Sequence, residues 1–211
     1  MGIIERKEKQ KQEIRKLILD ASIKLFVEHG FSNVTIRKIA DLIEYSPTTV
    51  YLYFKDKNEI FYSLHELGFQ QFLALNRNLE HIHNPLQQLL KMGENYIRFG
   101  LENPEFYDIM FIQQAPMEAL KHMENCDWTY GDAALNRLKQ TVQECMHQGM
   151  LQPANVETVS LGIWGMVHGL VSLAIRQRID KLVPAEKIEE TMHQSLHWLL
   201  KSITQQQITA H

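Results

Sequence analysis

Apolar residues recur along this chain at the three- and four-residue spacing of an amphipathic helix, and no segment alternates apolar and polar positions as a half-buried strand does. Ile14, Leu17, Ile18, Ala21 and Leu25 form one stripe with Gly30 at the stop position, so a first helix is expected over about 8–29. Thr35 is a good N-cap for a short second helix that turns Ile36, Ile39, Ala40 and Ile43 to the core and stops by Glu44. Ser46-Pro47 then starts a third, over 47–54, because serine caps orphan amides and proline at the first position forfeits no hydrogen bond.

Asp56-Lys57-Asn58-Glu59 has the spacing of a capping box, with aspartate in place of Ser/Thr, and opens a long helix expected to run over 56–80. Further helices are expected over 85–102, 104–112, 128–149, 156–178 and 184–205. The fold class is therefore all-α with nine helices: an N-terminal three-helix unit, 1–57, and a larger helical bundle, 58–211. Segment 115–127 carries no assigned element, and the polar tail from Gln205 is expected to lie outside the fold.

Residues 34–57 give two short helices separated by a tight turn, the arrangement that lets the second lie in a DNA major groove while the first crosses the backbone. On the third helix Val50 and Phe54 stand one turn apart and face inward, which puts Thr48, Thr49, Leu52 and Tyr53 outward and Tyr51 at the edge. Small hydroxyls suit base edges and phosphates, and tyrosine hydroxyls suit phosphate oxygens. The alternative, that Tyr51, Leu52 and Tyr53 pack on a neighbouring helix, runs against this phasing.

Charge supports the same end of the chain. The net charge of −3 hides a split: residues 1–57 carry eleven Lys/Arg against eight Asp/Glu, and the remainder eleven against seventeen. A polyanion would sit at the basic end, although an excess of three charges is also ordinary surface variation, and the motif decides between them. Cys126 and Cys145 read as free thiols in a reducing compartment, and the charged N-terminus lacks a secretory pattern, so a cytoplasmic location is expected. The uncharged stretch from Thr158 to Ile175 just reaches membrane-spanning length, but a helix buried on two sides has the same pattern, and no membrane is expected.

Gly30-Phe31, Val34-Thr35-Ile36-Arg37-Lys38-Ile39-Ala40 and Thr49-Val50-Tyr51-Leu52-Tyr53-Phe54-Lys55-Asp56-Lys57 together resemble the TetR family of transcription regulators over roughly residues 12–64. The resemblance implies a homodimeric helix-turn-helix repressor that binds a palindromic operator and is released by a small-molecule effector. By position it implies Thr35 and Lys57 as phosphate clamps, Tyr51 and Tyr53 as phosphate or groove contacts, and Arg37, Pro47, Thr48 and Thr49 as the base-proximal set. Arg37 is the best candidate for reading guanine. One departure stands in the turn: where the family usually has glycine this chain has Glu44, followed by Tyr45, and a left-handed glutamate costs strain.

In the second half, helix 156–178 is apolar nearly all round, with stripes Trp164, Val167, Val171, Ile175 and Val159, Ile163, Met166, Leu170, Leu173. Gly162, Gly165 and Gly169 fall on a third strip that would admit a close neighbour. With Met192, Leu196 and Leu199 of the last helix they are expected at a four-helix dimer interface. Trp164 to Gly169 also resembles a Trp-x-x-x-His-Gly signature of one TetR subgroup. Tyr96, Phe99, Phe106, Met110, Phe111, Met117, Trp128, Met166 and His168 would line a pocket for a small, apolar effector, although the same residues suit a plain core, and a lone histidine is more often a hydrogen-bonded core residue.

The enzymatic alternative rests on two Glu-x-x-His pairs, Glu144/His147 and Glu190/His193, with the spacing of di-iron carboxylate bundles. Both histidines point away from the apolar stripes of their helices, and no nucleophile elbow, phosphate loop or zinc pattern occurs. No catalysis, cofactor or metal is expected. A non-catalytic helical adaptor would explain the bundle but not the surface of residues 46–57.

Overall fold

The computed structural model describes residues 2–114 and 128–204. Met117 and Cys126 lie outside them, as does the tail from Gln205. Nine α-helices stand among the described residues: α1 Ile3–His29, α2 Ile36–Leu42, α3 Pro47–Tyr51, α4 Lys57–Leu75, α5 Pro85–Glu102, α6 Pro104–Phe111, α7 Thr129–His147, α8 Val156–Ile175 and α9 Ile188–Ile203. The same residues hold no strand beyond an isolated Leu151–Thr204 bridge. The all-α fold read from the sequence is therefore the fold observed.

Capping explains most of the helix starts. Thr35 accepts from the Lys38 amide at 3.2 Å and Ser46 from the Thr49 amide at 3.1 Å, with Pro47 first in α3. The Asp56 carboxylate accepts from the Glu59 amide at 3.0 Å, while Glu59 reaches back to the Lys55 amide, one residue earlier than a strict capping box. Asn84 and Asn155 cap α5 and α8.

Several helix bounds differ from the sequence reading. α1 starts at Ile3, because its first turns are long-chain helix formers joined by Gln12 to Glu8 and Lys9 to Glu13 one turn apart, which no apolar stripe marks. Leu17, placed on the core stripe, is 41% exposed, and Ser22 and Phe26 are buried instead. α4 ends at Leu75 and gives way to a 3-10 turn over Arg77–His81; another 3-10 turn, Ala185–Lys187, precedes α9.

The chain divides into two compact units. The first, Met1–Gly68 with Glu105–Trp128, reaches beyond residue 57. Its core joins Ile18, Leu25 and Phe26 of α1, Ile36, Ile39 and Ala40 of α2, Val50 of α3 and Phe54 to Ile60, Phe61 and Leu64 of α4, and Ile109 of α6 completes it. Phe26, Phe31 and Phe61 meet with ring centroids 6.3, 5.8 and 4.2 Å apart. Two short helices could not bury enough surface alone, so this unit depends on the faces that α1 and α4 lend it.

The second unit, Phe69–Pro104 with Thr129–His211, is organised around α5, which packs against α7, α8 and α9. Its buried residues include Leu89, Ile97, Val142, Ile163, Val167, Val171, Met192, Leu196 and Leu200. Cys145 is a buried free thiol whose pKa is pushed up to about 11, by burial first and then by Glu144. α8 is long and apolar enough to cross a membrane by length and composition, yet among the described residues only its strip Ser160, Ile163, Val167, Val171 is buried. Among the described residues one side of α8 is covered, and the second cover expected for it falls to no described residue of the same chain.

Candidate nucleic-acid interface

α3 is anchored from beneath by Val50, fully buried, and by Phe54 just past its end, 1% exposed. With those two side chains turned inward, Thr48 is exposed, Tyr51 is 55% exposed and Leu52 76% exposed. Pro47 and Thr49 are half-buried, and the Thr49 hydroxyl lies 2.9 Å from that of its cap, Ser46. On α2, Arg37 is exposed, as is the cap Thr35. Thus a strip of hydroxyls, an aromatic ring and a guanidinium reaches solvent on one compact head.

Two expected contacts are placed differently. Tyr53, expected outward, is half-buried and packs against the head's core. The helix explains it: Leu52 and Tyr53 donate to Thr49 and Val50 carbonyls three residues back, at 3.1 and 3.0 Å, so the tightened last turn rotates Tyr53 inward and leaves Tyr51 the more exposed ring. Lys57, expected as a phosphate clamp, is half-buried, donates to the Phe31 carbonyl at 3.2 Å and lies 4.6 Å from the Phe31 ring centroid. Burial pushes its pKa down.

Glu44 adopts φ 60, the left-handed conformation expected of the turn, while the Tyr45 amide bonds the Ala40 carbonyl at 3.0 Å and closes it. The sequence reading passed over Arg15, which binds the Tyr53 carbonyl and the Ser63 hydroxyl at 3.1 and 2.9 Å. The available signal was a cation set between Ile14 and Ile18 on the stripe side of α1, read only as part of a basic lead-in.

The expected effector lining falls into both units. In the second, the Tyr96 hydroxyl lies 3.1 Å from His168 Nδ1 and accepts from Trp164 Nε1 at 3.3 Å, while Phe72 meets Tyr96 and Phe99 edge-on at 5.6 and 5.5 Å. Burial pushes the His168 pKa down, and Met166 is half-buried. In the first, Phe106 packs on the core, Met110 is buried over Gly68, Phe111 meets Tyr107 at 5.1 Å and Trp128 lies 6.2 Å from His65. A cleft of about 260 Å³ in the second unit, lined by Leu86, Leu90, His197 and Leu200 among others, uses none of these residues.

Met192 and Leu196, expected at a dimer interface, are fully buried in their own unit; the inward stripe is Met192, Leu196, Leu200, and Leu199 is only half-buried. Side chains added at Gly162, Gly165 or Gly169 would meet nothing within 4 Å, so the close neighbour expected there is not part of the same chain's described residues. The Glu-x-x-His pairs are spent on their own helix surfaces: His147 lies 4.0 Å from Glu144, His193 3.9 Å from Glu189, and Glu190 accepts from Gln194.

A head of this construction, two short helices across a tight turn with the second presenting hydroxyl and aromatic side chains, defines a helix-turn-helix DNA-binding protein. Residues 18–64 match the family described as bacterial regulatory proteins, tetR family, and residues 89–199 match the tetracyclin repressor-like C-terminal domain. A helix-turn-helix transcriptional regulator of Haemophilus influenzae is 25% identical over 122 residues, 56% of this chain and 65% of its own length. The regulator AcrR of Shigella flexneri is 25% identical over 179 residues, 79% of this chain and 80% of its own. The crystal structure of a putative TetR-family regulator from Syntrophomonas wolfei superimposes with a TM-score of 0.71 at 18% identity, covering 95% of this chain and 99% of that one, a likeness of fold. The chain belongs to the TetR family and is a DNA-binding transcriptional regulator of the repressor type. Regulators of this family bind DNA and ligands, typically as dimers.

Proposed function

We propose that this protein is a cytoplasmic, non-catalytic repressor that holds a near-palindromic operator as a homodimer and lets go when a small, apolar effector binds. The observation that carries the reading is the outer surface of α3: Thr48, Tyr51 and Leu52 exposed above the buried anchors Val50 and Phe54. Thr48, Thr49 and Pro47 approach base edges, with Arg37 reading guanine; Thr35, Tyr51 and the edge of Tyr53 meet phosphates. Lys57 serves the same end from its place on Phe31. Two such heads would enter successive major grooves about 34–36 Å apart.

Residues 1–57 do the reading in this scheme, and 58–211 carry the dimer surface and the effector site. The uncovered glycine strip of α8 supports pairing there with a second copy, together with Leu199. In the second unit, Tyr96, Phe99, Met166 and His168 offer apolar walls with a hydrogen-bonded polar centre, the composition of a small-ligand site. An effector would act by favouring a conformation in which α4, which continues from one compact unit into the other, moves the heads off the operator spacing.

The test is selection of binding sites from a random duplex library at near-physiological salt, repeated with Arg37→Ala. A recovered near-palindrome is the expected result, with the variant losing preference at particular base pairs by about 1–3 kcal/mol. No enrichment by a protein of confirmed dimeric mass would remove operator reading and favour a helical adaptor; uniform weakening by Arg37→Ala would make that residue a phosphate contact.

A further inference from the structure

α3 is only five residues long, and Val50 is its one fully buried side chain, so its aim is set by the chain on either side of it. Entry runs through the left-handed Glu44 turn and the Ser46 cap. Exit runs through Tyr53 and Phe54, and one side chain from another helix grips both. Arg15 of α1 donates through Nη1 to the Tyr53 carbonyl at 3.1 Å, and its guanidinium carbon lies 4.2 Å from the centroid of the Phe54 ring. Through Nη2 it donates to Ser63 Oγ of α4 at 2.9 Å.

The carbonyls past the end of a helix lack helical donors and need partners from elsewhere. Here that partner is a rigid planar fork, which can bond two oxygens in different directions while its face lies on a ring. A lysine, with a single ammonium on a flexible stem, cannot hold all three at once. Arg15 therefore ties the exit of the reading helix to the second turn of α4 and fixes where Thr48, Thr49 and Tyr51 point.

We propose that Arg15 is a positioning residue for sequence discrimination: through the Tyr53 carbonyl, Phe54 and Ser63 it sets the aim of α3, without itself touching DNA. This rests on the reading of α3 as the operator-facing helix. It also assigns Ser63 a role, as the α4 end of the tie.

The experiment compares Arg15→Gln, Arg15→Lys and Ser63→Ala with the unaltered protein. Affinity is measured for the selected operator and for a scrambled duplex of equal length, across a salt series and below each variant's melting temperature. Arg15→Gln should cut the operator-to-scrambled affinity ratio by about tenfold, the scale of one misread base pair, with the scrambled affinity and the salt slope unchanged. Arg15→Lys should fail to restore the ratio although it keeps the charge, and Ser63→Ala should lower it to a lesser extent.

A salt slope reduced by about 0.9, with both duplexes weakened alike, would make Arg15 a phosphate contact and overturn the proposal. So would full discrimination by Arg15→Lys. If Arg15→Gln does not fold, Arg15→Lys and Ser63→Ala decide alone, and an unchanged ratio in Arg15→Lys overturns it. Failure of the unaltered protein to discriminate any duplex would remove the operator reading itself, and this inference with it; discrimination retained in the variants removes this inference only.

Discussion

His65 lies fully buried on α4, its Nδ1 3.4 Å from a Glu66 carboxylate oxygen, and burial pushes its pKa down to about 4. An imidazole in the unfolded chain takes up its proton near pH 6.5, whereas the folded one stays neutral until far lower pH. The unfolded state thus binds more protons in this window, and the contribution of His65 to stability, complete above pH 6.5, is lost as pH falls toward 4. Between pH 7 and pH 5 the loss should be roughly 2 kcal/mol. Urea denaturation at the two pH values should show a flatter acid limb for His65→Gln than for the unaltered chain; equal limbs would mean that the imidazole titrates normally. At the same scale, Glu44 adopts φ 60 at the turn position where the resemblance to the TetR family implied glycine, so this left-handed residue was legible from the resemblance and not from the spacing of the flanking helices.

Elements were legible where their boundaries are chemical. Thr35, Ser46 with Pro47, and Asp56 marked starts that the structure keeps, because a cap acts on the amides next to it in sequence. Phase was less legible near helix ends: the tightened last turn of α3 reversed the exposure of Tyr51 and Tyr53, since an ideal period overruns a helix that stops early. On α9 the buried stripe is Met192, Leu196 and Leu200, and Leu196 lies against α5. A β-carbon at Gly93 would lie 2.7 and 3.0 Å from the terminal methyls of Leu196, so these two helices approach closely at that level. Leu196 is fully buried and has little room to yield. Gly93→Ala should therefore destabilise the chain by up to about 2 kcal/mol, the crowding outweighing the roughly 1 kcal/mol that alanine gains over glycine within a helix, as measured by urea denaturation. Its combination with Leu196→Ala should cost less than the sum of the two single changes; strict additivity would show that the contact is slack.

For the whole molecule, an apolar surface left uncovered by the described residues lies on α8 and α9. Leu161 is 63% exposed and Trp198 70% exposed, and the glycines of α8 face open space, a surface that a soluble regulator is expected to cover with a second copy. Gly165→Arg tests this without weakening α8, because arginine forms helix better than glycine and a β-carbon at this position meets no atom of the described residues within 4 Å. Light scattering should report a monomer, with helical content intact and operator affinity sharply reduced. A dimeric mass unchanged by this substitution would move the interface off α8.

The sequence by itself determined the helical fold, the helix-turn-helix and the inward anchors Val50 and Phe54 of α3, but not which of Tyr51 and Tyr53 faces outward. These follow from period, capping and turn chemistry, which act over a few neighbouring residues. Only the tertiary structure decided which cation bonds the chain at the exit of α3, which glycine admits a leucine and which residues of the expected effector lining belong to each compact unit. Arg15 and Ser63 are separated by 48 positions and Gly93 and Leu196 by more than a hundred, so each pairing exists only once helices have packed. Such contacts depend on how the packed helices lie against one another, which the period of a single segment does not encode.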